Sequence, residues 1–175
     1  LVKEHANRPD LNVIVSFCIT RKNVSSILSF LLEWQKETNI KGVFFEFHTP
    51  RMGEGKELWL DWSERDHVID NLLALKKTYG DFIYNTFQIL ELMKSHPLQN
   101  ILSDCPFTYI GMGLDPMGHP KAPCTLGPEA DCDRCGCILP VFSSILYKRG
   151  SLIRAFAGGI KRNVRERLKL RREPC

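Results

Sequence analysis

The segment Leu11-Asn-Val-Ile-Val-Ser-Phe-Cys-Ile-Thr20 limits the choice of folds more than any other. Its β-branched apolar run is too continuous for a strand with one wet face. It fits a strand buried on both faces, as in a parallel sheet. Val24, Ile27, Leu28, Leu31 and Leu32 follow at i, i+3, i+4 spacing. They predict an amphipathic helix to about Glu37, with Asn23 as its cap. Gly42 to His48 reads as a second strand, stopped by Thr49-Pro50. Ser63-Glu-Arg-Asp66 suits a capping box, and Val68, Ile69, Leu72, Leu73 and Leu75 make the next helix face, ended by Gly80. Asp81–Thr86 is a third short strand and Phe87–Lys94 a third helix. Strands alternating with helices imply βαβ crossovers and an α/β fold of parallel repeats.

Three parallel strands leave both edges unpaired, an arrangement that natural sheets avoid. The chain also starts at Leu1 without an initiator Met. Both features lead to the expectation that these 175 residues are a piece of a longer protein. With 43% hydrophobic and 10% aromatic residues, disorder is excluded as the main state. No apolar run approaches the roughly 20 residues of a membrane helix. Leu1 to Pro9 lacks the apolar core of a signal peptide, so a cytoplasmic location is expected. Walker loop, His-Glu-x-x-His, dinucleotide fingerprint and nucleophile elbow are all absent, and nothing supports hydrolase chemistry.

Cysteine is the unusual component. Five of seven (Cys105, Cys124, Cys132, Cys135 and Cys137) fall within 33 residues, while Cys175 ends the chain and Cys18 reads as a buried hydrophobe. An odd count without a secretion signal argues for metal binding over a disulfide framework. Phe107–Ile110 reads as a strand, and Asp115-Pro-Met-Gly118 has the residues of a type I turn. Cys105 and Cys124 would then lie on opposite arms of a hairpin. In the tight Cys132-Asp-Arg-Cys-Gly-Cys137 turn, Gly136 is free to take positive φ and let sulfurs point inward. Four thiolates bind either tetrahedral Zn²⁺ or an iron–sulfur cluster, and the spacing does not separate the two.

The order of these features resembles the C-terminal half of a radical S-adenosylmethionine enzyme. The resemblance rests on Thr20-Arg-Lys-Asn23 after the first strand, His48-Thr-Pro50 after the second, and Asn85-Thr86 after the third. Cys105-x12-Gly118-x5-Cys124 is similar to the opening of the SPASM/twitch extension, from which it departs by one residue between the glycine and the second cysteine. Across residues 10–140, the resemblance implies half of a partial TIM-type barrel (strands four to six) over residues 1–100. A Cys-rich extension over 101–140 would hold an auxiliary [4Fe–4S] cluster. It also implies that Ser16, Arg21, Asn23 and Asn85 contact S-adenosylmethionine, with His48 near the substrate, and that ferredoxin or flavodoxin is the reductant. The whole protein would then make a 5′-deoxyadenosyl radical for hydrogen abstraction from an unidentified substrate, as an oxidoreductase or transferase. The family's Cys-x3-Cys-x2-Cys is absent, so this chain alone should be inactive.

The alternative is a zinc-binding structural or nucleic-acid-binding module, in which Cys124, Cys132, Cys135 and Cys137 hold Zn²⁺. Residues 148–175 carry ten Lys or Arg against two acids, a basic tail on an otherwise acidic chain. Leu146, Ile153, Phe156, Ile160, Val164 and Leu168 give residues 141–175 near-helical apolar spacing. Such a tail can dock on the body with its charges solvated, lie on an anionic membrane surface, or bind nucleic acid. Few aromatics are interleaved with the basic residues, which disfavours nucleic acid.

Overall fold

The computed structural model describes residues 13–149. Cys175 and the basic tail beyond Arg149 lie outside the described residues. The chain is mixed α/β and divides into two compact units. Among the described residues, one comprises Val13–Asn100 together with Ala130–Ile138; the other comprises Ile101–Glu129 and Leu139–Arg149.

In the first unit β1 (Val13–Ile19) and β2 (Ile40–Phe47) pair in parallel, with Val15 opposite Val43, Phe17 opposite Phe45 and Ile19 opposite Phe47. The crossover is a 3₁₀ turn, Val24–Ser26, followed by α1 (Ile27–Trp34). The expected cap does not form. Asn23 instead turns back, its Oδ1 accepting from Thr20 N at 2.7 Å and its Nδ2 donating to Cys18 O at 2.9 Å. Asparagine bonds its own neighbourhood as readily as a helix end, and here it closes the turn after β1.

After β2, α2 (Trp62–Tyr79) starts one residue before Ser63. Asp61 is its N-cap and Glu64 its N3, and together they form the capping box. Ser63 only donates to Asp61 Oδ1, and Asp66 receives the N–H and hydroxyl of Ser95 at 2.7 and 2.6 Å. Gly80 ends α2 as expected. The expected third strand is shorter than its sequence suggests. Gly80–Phe82 is a 3₁₀ turn, and one parallel bridge, Val43 to Ile83, extends the sheet. Beyond it the Asn85 amide takes over the ladder, receiving Phe45 N–H at 2.8 Å and donating to Phe45 O at 2.9 Å. Thr86 then caps α3 (Phe87–Leu92), and α4 (Ser95–Leu102) follows.

The core lies on one side of the sheet. Phe17, Ile19, Val43, Phe45 and Phe47 are buried with Leu31 of α1, Ile69 and Leu72 of α2, and Ile83 and Leu90. Phe17 meets the Phe30 ring edge-on at 4.5 Å. The other face is open: Ile14, Ser16 and Cys18 are exposed. The first strand is therefore not buried on both faces, and Cys18 is not a buried hydrophobe. Helices cover a single layer of the described sheet, which leaves alternate residues of an apolar run in contact with solvent.

In the second unit α5 (Phe107–Ile110) is a helical turn where the aromatic and β-branched residues suggest a strand. Pro106 presets its φ at −65°, and Thr108 Oγ1 donates to Cys105 O at 2.7 Å, so local bonding outweighs strand propensity. A two-residue hairpin, β3 (Gly113–Leu114) with β4 (Pro120–Lys121), encloses the expected turn, in which Gly118 N donates to Asp115 O at 3.0 Å. α6 (Leu139–Arg149) packs on α5. Among the described residues no helix is long and apolar enough to cross a membrane.

Candidate functional site

The loop Ala130–Ile138 is fastened to the C-terminal end of β2. Arg51 bridges to Ala130, Asp131 N donates to Pro50 O at 2.9 Å, and Phe47 N donates to Gly136 O at 3.1 Å. Gly136 N in turn donates to Thr49 Oγ1 at 2.9 Å. A side chain at 136 would lie 2.4 Å from Phe47 O and 2.6 Å from His48 O. Close backbone approach, and not the expected positive φ, is why glycine stands here.

Within the loop Cys132–Arg134 form a 3₁₀ turn capped by Asp131. Arg134 is anchored twice, through Asp131 Oδ2 at 2.7 Å and Glu54 O at 2.9 Å, and its own carbonyl receives Trp59 Nε1 at 3.2 Å. Cys135 is buried with its sulfur 3.8 Å from Thr49 Oγ1, Cys137 is half-buried and Cys132 is exposed.

Beneath the loop sits Arg65, whose residue is fully buried. Its Nε donates to Leu60 O at 3.2 Å and its Nη1 to Cys135 O at 2.8 Å. Its Nη2 donates to both His48 O at 3.2 Å and Arg134 O at 2.9 Å. The Phe47, Trp59 and Trp62 rings lie 5.0, 5.5 and 4.6 Å from its guanidinium carbon. Desolvation pushes its pKa down to about 10, against an upward pull from Cys135. Arg65 escaped the sequence reading because a charge in an amphipathic helix is normally assigned to the wet side. The available signal was periodic: Arg65 continues the Val68/Ile69–Leu72 stripe one turn back, and Lys76, buried with Nζ 2.6 Å from Ile83 O, continues it one turn on.

In the second unit Cys105 and Cys124 interact. Burial and then the neighbouring Cys124 charge push the Cys105 thiol up, while the N–H groups of Phe107 and Thr108 pull it down. Cys124 follows β4, whereas Cys105 lies ahead of α5 and not on the partner arm. Gly113 holds the close packing, since a Cβ there would lie 2.8 Å from Thr125 Cα. The five cysteines are thus distributed as a pair in one unit and a run of three on one loop in the other. Among the described residues no group of three or more Cys, His, Asp or Glu converges as a metal site. The donor chemistry suits a thiolate-ligated metal, and the pair and the loop are the two places where sulfurs gather.

The residues expected to meet S-adenosylmethionine occupy separate settings. Ser16 lies on the open sheet face, its hydroxyl 3.3 Å from Glu46 Oε1. On the same face Cys18 has its thiol pushed up by partial burial and by Glu46. Arg21 makes a bidentate pair with Glu64 and donates from Nε to Trp59 O at 3.2 Å. That pairing raises the Arg21 pKa and lowers the Glu64 pKa. Asn23 is engaged in the turn after β1, and Asn85 is fully buried against Phe45. His48 Nε2 lies 2.8 Å from Glu54 Oε1. Scans of known protein families, of curated proteins and of solved structures find no match to this chain.

Proposed function

We propose that this chain is part of a radical S-adenosylmethionine enzyme and that its cysteines carry an auxiliary [4Fe–4S] cluster. The observation that carries the reading is the Cys105–Cys124 pair. Two thiols 19 residues apart, on either side of the turn at Asp115–Gly118, lie near enough for the charge of Cys124 to raise the Cys105 pKa. Two further features support it. The sheet is parallel, with helical crossovers, and among the described residues its helices cover one face, which suits half of a barrel. Ser16 lies on that sheet's open face.

On this reading Cys105 and Cys124 are candidate ligands in one unit, and Cys132, Cys135 and Cys137 are candidate ligands in the other. The cluster, when bound, supplies one-electron redox chemistry. The protein's own contributions are to hold the thiols, to shield Cys135 from solvent and to direct Phe107 and Thr108 N–H toward the Cys105 sulfur. A reducing cytoplasmic compartment keeps such thiols available as ligands. Arg21 would meet a carboxylate of the cofactor only by exchanging its present partner, Glu64.

Anaerobic reconstitution with iron and sulfide tests the proposal. The expected protein is brown and holds about four irons and four sulfides per cluster, and loses them in Cys105→Ser and Cys124→Ser. A colourless protein that retains about one zinc per chain and takes up no iron overturns it in favour of a structural zinc module.

A further inference from the structure

Arg65 is a buried cation without a buried anion. Four of its N–H bonds end on backbone carbonyls and three aromatic rings line its faces. Among the described residues no carboxylate lies within ion-pair distance of it. Burying a guanidinium costs more than burying an aliphatic side chain of similar volume, so packing alone does not account for an arginine here. A planar fork does account for it. The donors hold three separate stretches of chain together: Leu60 ahead of α2, His48 just past β2, and Arg134 and Cys135 of the cysteine loop. Lysine, a point donor, cannot span three such segments at once.

We propose that Arg65 is a positioning residue that fixes the backbone of the Cys132–Cys137 loop on the end of β2, and so holds in place the cysteines that a metal would draw on. This rests on the reading of the loop as a bearer of metal ligands. Two of the four bonds go to the main chain of the loop itself, at Arg134 and at Cys135. Releasing them therefore frees Cys135 first, ahead of any cysteine in the other unit.

The test compares the wild-type chain with Arg65→Lys, which keeps the charge but loses the fork, and with Arg65→Gln, which loses the charge. In metal-free reduced protein, iodoacetamide labelling with peptide mapping reads each cysteine separately. Arg65→Gln should raise the Cys135 rate about tenfold through local opening while leaving Cys105 unchanged, and Arg65→Lys should raise it less. Co²⁺ alone is the second probe. Its thiolate-to-cobalt charge-transfer band should weaken in Arg65→Gln and, to a smaller degree, in Arg65→Lys, a change at the ligands that a packing role would not produce. Unchanged Cys135 labelling in Arg65→Gln overturns the proposal. Equal acceleration at Cys105 in both variants also overturns it, because it marks general loss of structure. If no variant takes up Co²⁺ but Cys135 labelling responds as expected, the positioning role stands and the metal reading falls. If all three bind Co²⁺ with the same band, the reverse holds.

Discussion

The cysteine loop and the hairpin ahead of Cys124 are both short stretches turned by Asp and Gly, yet they are held by opposite means. The loop is tied by partners far away in the chain: Arg65 to Cys135 across 70 positions, Glu54 to Arg134 across 80, Thr49 to Gly136 across 87. In the hairpin the turn closes on itself. Asp115 Oδ1 accepts from Met117 N at 2.9 Å and from His119 N at 2.8 Å, two and four residues on. Local bonds form early and open locally, whereas long-range bonds exist only when the unit that supplies them is folded. The geometry of Cys132, Cys135 and Cys137 is thereby coupled to the stability of the sheet unit. That of the turn before Cys124 is not.

Four tests can break or sharpen this contrast. The largest effect is expected from Arg65→Met, which removes the side-chain donor from the carbonyls of Leu60, His48 and Cys135 and leaves that of Arg134 with Trp59 Nε1 alone. A loss of about 3–5 kcal/mol in urea-unfolding stability is expected, a large part of a typical domain total. A loss below about 1 kcal/mol would show that the loop does not depend on its distant tether. Next comes Asn85→Ala, which strips Phe45 of both side-chain partners and should cost about 2–3 kcal/mol, leaving protection of the Met117 and His119 amides untouched. Concurrent loss of that protection would break the contrast.

Gly136→Ala and Gly113→Ala form a matched pair, since a Cβ at either site meets backbone. Each overlap should cost about 1–3 kcal/mol, with altered labelling confined to Cys132, Cys135 and Cys137 for the first and to Cys124 for the second. Crossed effects would show that the two regions respond as one.

The smallest effect concerns acid. Backbone donation, His119 N–H foremost, holds the Asp115 carboxyl below its usual range. A carboxylate whose pKa is depressed on folding contributes stability above its unfolded value of about 4. That contribution is lost as pH falls through the lower, folded value. Amide exchange at Met117 and His119 should therefore quicken below about pH 4 in wild type and lose this pH dependence in Asp115→Asn. An unchanged pH dependence in that variant would remove Asp115 from the account.

The order of strands and helices was legible because residues 13–92 carry clean periodicity and stop signals such as Thr49-Pro50 and Gly80. The turn at Asp115–Gly118 was legible because Pro and Gly encode it within four residues. Errors fall where local chemistry offered two outcomes of similar energy. Asn23 could cap forward or bond backward, Asp61 and Ser63 both suited an N-cap, and Phe107–Ile110 had strand residues behind a helix-starting proline.

The site divides along the same line. The number and spacing of the cysteines alone marked them as candidate metal ligands, because thiols are rare and their chemistry is specific. Which of them lie together, and what holds them, only the tertiary structure decided. The charge of Cys124 is felt at Cys105 in one unit, while Cys135 rests against Thr49 in the other. Arg65 became visible only when His48, Leu60, Arg134 and Cys135 were seen to converge on it. Periodicity records which side of a helix is dry, but a buried charge is defined by carbonyls and rings that arrive from up to 70 residues away.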